Sequence, residues 1–139
     1  MQNKGAYCLC INVKEKILIR VGALGEIEFN PGHYVYVGSA LNGLKARVQR
    51  HLKNSRGEHN VKHWHIDYLL REKNVVIDNV YIQYSAIKTE CKIAEQISKH
   101  GKPYKGFGCS DCKCKSHLFK VDNCSILSKL GIETINFEK

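Results

Sequence analysis

The chain has 139 residues, which points to one domain with a core large enough to fold alone. Lysine and arginine number 22 against 13 for aspartate and glutamate, a formal charge of +9; such an excess favours an anionic partner, nucleic acid above all, with a merely solvated basic surface as the bland alternative. No run approaches the ~18 apolar residues of a membrane span, and the N-terminus MQNKGAYCLC lacks a secretory h-region, so the seven cysteines are read as reduced thiols or metal ligands of a cytoplasmic protein without a membrane partner.

In chain order, residues 5–13 (GAYCLCINV) read as a strand of small and apolar residues, and 16–21 (KILIRV) as a second. Cys8 and Cys10 share one face of the first and are read as small buried side chains. Gly22 and Gly25 bracket a turn, and 26–29 (EIEF) alternates charged and apolar. Asn30, Pro31 and Gly32 predict a turn, because proline fixes φ at one central position and glycine permits positive φ at the next. A strand over 33–38 follows, with Tyr34 and Tyr36 on one side and Gly38 as its stop. The first 38 residues thus predict an antiparallel meander.

Gly38, Ser39, Asn42 and Gly43 supply turn and helix-start chemistry ahead of a helix over 42–53. Leu44, Val48 and Leu52 recur every four residues and form its buried stripe. At roughly 100° per residue, Arg47 and His51 flank one edge of that stripe, while Lys45, Gln49 and Arg50 face water. Residues 54–62 read as a polar loop. HWHIDYLLREK at 63–73 predicts a helix starting near Trp64, and 75–85, rich in β-branched and aromatic residues, a strand or strand pair. A third helix over 88–100 is stopped by Gly101 and Pro103. Residues 107–119 (FGCSDCKCKSHLF) read as an irregular cysteine-rich loop leading into an apolar segment, and a weak helix lies around 124–130. No repeat or linker divides the chain: one domain over 1–139, with a core over about 4–120 and a short extension, 121–139.

The third helix raises the chemical question. Ile93, Ala94 and Ile97 define its apolar face on a helical wheel, and Glu90 falls in the middle of that face, whereas Glu95 falls outside it. A carboxylate on a buried face is costly unless it is paired or holds a metal. Glu90 is thus either a structural group, ion-paired to a lysine or arginine or favoured by the helix dipole, or a metal or catalytic ligand. Phosphodiester hydrolysis needs a divalent cation, a base for water and a cation for the phosphate. Glu90 suits Mg²⁺, and Arg47 suits bidentate phosphate binding. A tyrosine is a base only if a metal or Arg47 lowers its pKa, whereas His51 needs less help.

These residues carry a resemblance. Gly5-Ala6-Tyr7, then Tyr36-Val37-Gly38 with Ser39-Ala40, then Arg47 and His51 one turn apart resemble the GIY-YIG nucleases. YVYVGSA, the RHL at 50–52, HWHIDYLL at 63–70, the glutamate-led block at 90–94 and FGCSDCKCKSHLF at 107–119 resemble its Uri superfamily endonuclease branch. The resemblance implies an α+β domain with a central antiparallel β-sheet flanked by helices, and Mg²⁺- or Mn²⁺-dependent cleavage of DNA. It makes Tyr7 the candidate for activating water, Tyr36 a residue that shapes the site, Arg47 the essential helix arginine, His51 an auxiliary proton carrier and Glu90 the metal ligand. His65 resembles a histidine after the first helix of some members, with a proton-transfer or phosphate role; alternatively His63, Trp64, His65 and Asp67 simply start a helix. Two departures stand out: residues 16–31 insert an extra β-hairpin between the signature strands, and Ala6 replaces the isoleucine of the first tripeptide.

Cys109, Cys112, Cys114 and His117 have zinc-ligand chemistry in a spacing unlike a standard finger, so a loop pinned by packed thiols is weighed against structural zinc; Cys91 could join that cluster. Three functions follow as expectations. The first is a metal-dependent DNA endonuclease in repair or processing, with a partner protein or DNA structure supplying specificity. The second is a non-catalytic nucleic-acid-binding module. The third is a zinc or redox sensor built on 109–117.

Overall fold

The computed structural model describes residues 4–40, 42–58, 64–85, 87, 89–108, 116–130 and 132–135. Strand β1 (Gly5–Val13) organises them. It is buried along nearly its whole length, which is why it reads as continuously apolar rather than alternating. It lies antiparallel between β4 (Gly32–Ala40) and β5 (Val75–Tyr84). With β6 (Lys102–Pro103), β7 (Leu118–Val121) and β8 (Glu133–Ile135) these form a six-stranded sheet in the order β6-β7-β4-β1-β5-β8. The α+β expectation holds.

The meander does not. Strands β2 (Ile17–Arg20) and β3 (Glu26–Phe29) pair with each other as a separate two-stranded sheet. The reason is length and burial. β1 is enclosed on both faces, and the nine- and ten-residue β4 and β5 match it along both edges. The four-residue β2 and β3 have one apolar row each, and Ile17, Ile19 and Ile27 turn it onto the main core while Leu18 stays exposed. The inserted hairpin of the sequence reading is therefore present, and it leaves the signature strands paired: Tyr7 lies opposite Gly38, and Leu9 opposite Tyr36.

Alternation along the strands builds two cores. Tyr7, Leu9, Ile11, Tyr34 and Tyr36 face α1 (Leu44–Ser55) and α2 (His65–Leu70). Ala6, Cys8, Cys10, Val35 and Val37 face α3 (Glu90–Ser98) and α4 (Ile126–Lys129). Leu44 and Val48 of the predicted stripe are fully buried, as are Ile93, Ala94 and Ile97 on α3 to within a few per cent.

Three further expectations change. β4 runs through Gly38 to Ala40 instead of stopping at the glycine. α1 continues to Ser55, because Asn54, read as loop, is buried and hydrogen-bonded to α2. The cysteines are not all reduced: Cys8 is free and buried, Cys10 is joined to Cys124 in a disulfide across 114 residues, and Cys91 is also disulfide-bonded. Strand alternation correctly turns Cys10 inward, but only the return of the chain after β7 brings Cys124 against it. β5 is a single strand with a register shift opposite Cys10 and Ile11. Among the described residues no helix is long and apolar enough to cross a membrane.

Candidate active site

Gly38 shows how the site is packed. It lies directly opposite Tyr7, whose phenol covers it; a Cβ added there would collide with the tyrosine Cζ and Oη. The glycine is required by this close approach and not by its φ.

Laid over Gly38, the Tyr7 hydroxyl reaches His51, with Oη 2.7 Å from Nε2. His51 comes from the edge of the α1 stripe and is fully buried, where the expectation was a flanking position. Its ring lies among those of Tyr7, Tyr36 and Trp64, with centroid separations of 5.4, 6.1 and 5.7 Å. Burial lowers its pKa to about 4, the Arg50 and Arg47 cations push the same way, and Asp67 opposes them. The imidazole is therefore neutral near pH 7, and in its Nδ1–H tautomer Nε2 accepts the Tyr7 O–H. Its Nδ1 is buried with no hydrogen-bond partner among the described residues. Burial holds the Tyr7 hydroxyl well above the usual tyrosine range, Tyr36, Glu90 and Asp67 reinforce this, and Arg47 alone opposes it. Tyr36, Arg47, Glu90 and Asp67 are thus all within electrostatic reach of one phenol.

One turn before His51, Arg47 donates from Nη1 to the Ser39 carbonyl (2.7 Å), and its guanidinium carbon lies 5.0 Å from the centre of the Trp64 ring. Ser39 belongs to the part of β4 that extends beyond Gly38, so the longer strand itself supplies the anchor. Guanidinium has five N–H donors, so donors remain for an anion.

Arg50 does not face water as its wheel position suggests. It is half-buried, 4.2 Å above the Trp64 ring centre, with Nη2 3.5 Å from Asp67 Oδ2. Asp67 is fully buried and also accepts the Trp64 backbone N–H (2.9 Å) and the Asn54 amide (2.8 Å). α2 covers the α1 edge beyond the leucine-valine stripe, so that edge is drawn into the interior. A buried carboxylate with this many donors is a clamp that ties α1 to α2 and fixes Trp64.

His65 stands apart from that cluster. Its Nδ1 accepts the Gly108 N–H (2.8 Å), and its ring packs 5.6 Å from Phe107, which in turn lies 6.3 Å from Tyr36. Burial lowers its pKa. It holds the 105–108 turn behind Tyr36. His63 lies outside the described residues.

Glu90 begins α3, on the opposite face of the sheet from Tyr7, yet helix and strands meet at one sheet end. Its side chain is 17% exposed, and Oε2 lies 3.9 Å from His117 Nδ1. That Nδ1 is also 3.1 Å from the carbonyl of Val37, the residue after Tyr36. Burial lowers the His117 pKa against the opposing pull of Glu90 and of the Val37 carbonyl. Among the described residues no lysine or arginine is ion-paired with Glu90. Among the described residues the lysine or arginine pairing weighed above is not seen, whereas the helix-dipole reading keeps its force, since Glu90 is in the first turn. Glu95 is exposed, as expected.

His117, weighed as a zinc ligand, is buried and turned towards Val37 and Glu90. Cys109, Cys112 and Cys114 lie outside the described residues.

Residues 6–136, from the strand that carries Tyr7 to beyond Cys124, match the family described as "Domain of unknown function DUF123". The chain belongs to the DUF123 family. Comparison with curated proteins and with solved structures gave no match. In this DUF123 chain Tyr7 and His51 are in direct contact and Arg47 lies one turn away, while the groups around them, Asn54, the Arg50–Asp67 contact, and His117 as the neighbour of Glu90, carry roles that the sequence did not suggest. Asn54 had a usable signal. It lies seven residues after Arg47 and three after His51, on the same helix edge.

Proposed function

We propose that this chain is a GIY-YIG-type endonuclease of the Uri branch that hydrolyses DNA phosphodiesters with Mg²⁺ or Mn²⁺. The observation that carries the reading is the buried Tyr7–His51 hydrogen bond, set over Gly38 and within electrostatic reach of Arg47 and Glu90.

The chemistry fits the groups present. Glu90 offers a partly accessible hard oxygen ligand whose neighbour His117 is held towards its neutral form, a setting that suits a cation. When bound there, the cation supplies charge stabilisation to the phosphate oxygens. Tyr7 is too deeply buried to rest as a phenolate, so it is not a base on its own. Paired with neutral His51 it becomes one: His51 Nε2 takes the Tyr7 proton as Tyr7 Oη takes a proton from the attacking water. Arg47, anchored by one N–H on Ser39, turns its remaining donors to the scissile phosphate. The basic balance provides sequence-independent attraction to the DNA backbone.

The test is cleavage of duplex, nicked, branched and single-stranded DNA with Mg²⁺ or Mn²⁺, abolished by EDTA. Glu90→Gln should lose activity by on the order of 10³-fold. Cutting at the wild-type rate by Glu90→Gln would sink its role as metal ligand. Salt-sensitive DNA binding without cleavage of any substrate would instead identify a non-catalytic nucleic-acid-binding module.

A further inference from the structure

The second core contains a group of side chains that the nuclease reading does not use. Cys10 sits on the α3 face of β1, opposite Val35 of β4. His33 lies two residues before Val35, and alternation puts it on the same face, diagonal to Cys10. Cys124 follows β7, which pairs with β4 so that His33 is opposite Val121. Two strands and the turn after a third thus deliver two sulfurs and an imidazole nitrogen to one point, all within 4.8 Å of one another. Both cysteines are buried, and the His33 Nδ1 is buried with no hydrogen-bond partner among the described residues. An unpartnered buried ring nitrogen carries a desolvation cost that a hydrogen bond or a ligand would remove.

We propose that Cys10, Cys124 and His33 form a zinc site in the reduced protein, and that the Cys10–Cys124 disulfide is the metal-free, oxidised form of the same site. Two thiolates and one imidazole are the donors that zinc prefers, with a water completing four-coordination. Bonded to each other, the sulfurs cannot serve as thiolates, so disulfide and metal exclude one another. The exchange balances: a dithiol reductant takes the disulfide to two thiols and itself becomes a disulfide. Zn²⁺ then binds both sulfurs with release of their two protons. This site is distinct in donor type from Glu90, whose oxygen ligand suits Mg²⁺ or Mn²⁺. Either state ties the C-terminal segment to β1, across a sequence separation of 114 residues.

The test uses the full chain in a Cys109→Ser/Cys112→Ser/Cys114→Ser background, which removes the competing ligands of that loop. After reduction with a dithiol and anaerobic desalting, Zn²⁺ should bind at about one ion per chain by elemental analysis. Co²⁺ in its place should show a sulfur-to-cobalt charge-transfer band. Re-forming the disulfide before metal addition should abolish both. Cys124→Ser should lose the site, and His33→Ala, at a partly exposed position, should weaken zinc binding at least tenfold with the far-ultraviolet dichroism unchanged. Absence of zinc binding in the reduced background protein overturns the proposal, as does unchanged affinity in His33→Ala.

Discussion

The two faces of the sheet are built from the same strands and are chemically opposite. Under α1 and α2 the interior holds a phenol, an imidazole, a carboxamide and a carboxylate, in Tyr7, His51, Asn54 and Asp67, all essentially without solvent contact. Under α3 and α4 it holds mainly aliphatic side chains, small residues and sulfur, with the rings of Tyr81 and Phe119 among them. On the first face burial of polar groups is offset by bonds among them, Tyr7 to His51 and Asn54 to Asp67. The second is a packed floor, closed by a disulfide, that keeps β1 and β4 in register. Glu90, at the start of a helix of the second layer, where a carboxylate is easiest to hold, exerts its charge on Tyr7 of the first.

The comparison can be broken or sharpened by substitution. The largest effect should come from Arg47→Ala, which is expected to lower DNA cleavage by on the order of 10³-fold while the chain stays folded. Arg47→Lys should recover little, because the planar fork is lost. Across the sheet, Ile97→Ala should do the reverse. Removing a fully buried side chain should cost about 3 kcal/mol in denaturant unfolding, with the specific activity of the folded fraction unchanged.

Acid should act through the first face. His51 has a folded-state pKa near 4, below the 6.5 of an exposed imidazole, so between those values the unfolded chain binds the additional proton. Its contribution is complete above pH 6.5 and is lost as pH falls towards 4, in total on the order of 3 kcal/mol. A pH series of urea midpoints should show this slope, and His51→Gln should flatten it; an unchanged slope in that variant would place the titration elsewhere. A smaller loss, roughly 1–3 kcal/mol, is expected for Gly38→Ala, measured by the same midpoints, since the methyl group must displace the Tyr7 ring. Glu95→Gln, on the exposed side of α3, should change stability by less than about 0.5 kcal/mol.

What was legible in the sequence follows from what is local. Burial of Leu44, Val48, Ile93 and Ile97 is written in helical spacing, and the inward turn of Cys10 in strand alternation. The displacement of Glu90 onto an apolar helix face was equally readable, because a wheel needs no tertiary information. Arg50 and Asn54 were misread for one reason: each meets Asp67 of a second helix whose position along α1 no spacing rule gives. Gly38 was taken for a strand end because glycine signals turns, whereas here it makes room for a ring from the neighbouring strand. The Cys10–Cys124 bond and the pairing of β1 with β4 and β5 are likewise products of long-range topology. The proposed chemistry rests on Tyr7, Tyr36, Arg47, His51 and Glu90 coming near one another, residues up to 83 positions apart in the chain.

Trp64 gives this arrangement an optical consequence. It is the chain's sole tryptophan, and two guanidinium groups and the His51 ring surround its indole. Intrinsic emission excited at the indole band therefore reports on this corner of the molecule and nowhere else. An oligonucleotide phosphate that draws Arg47 off the ring should change that emission, allowing occupancy to be titrated without a label, even in Glu90→Gln, where no product forms.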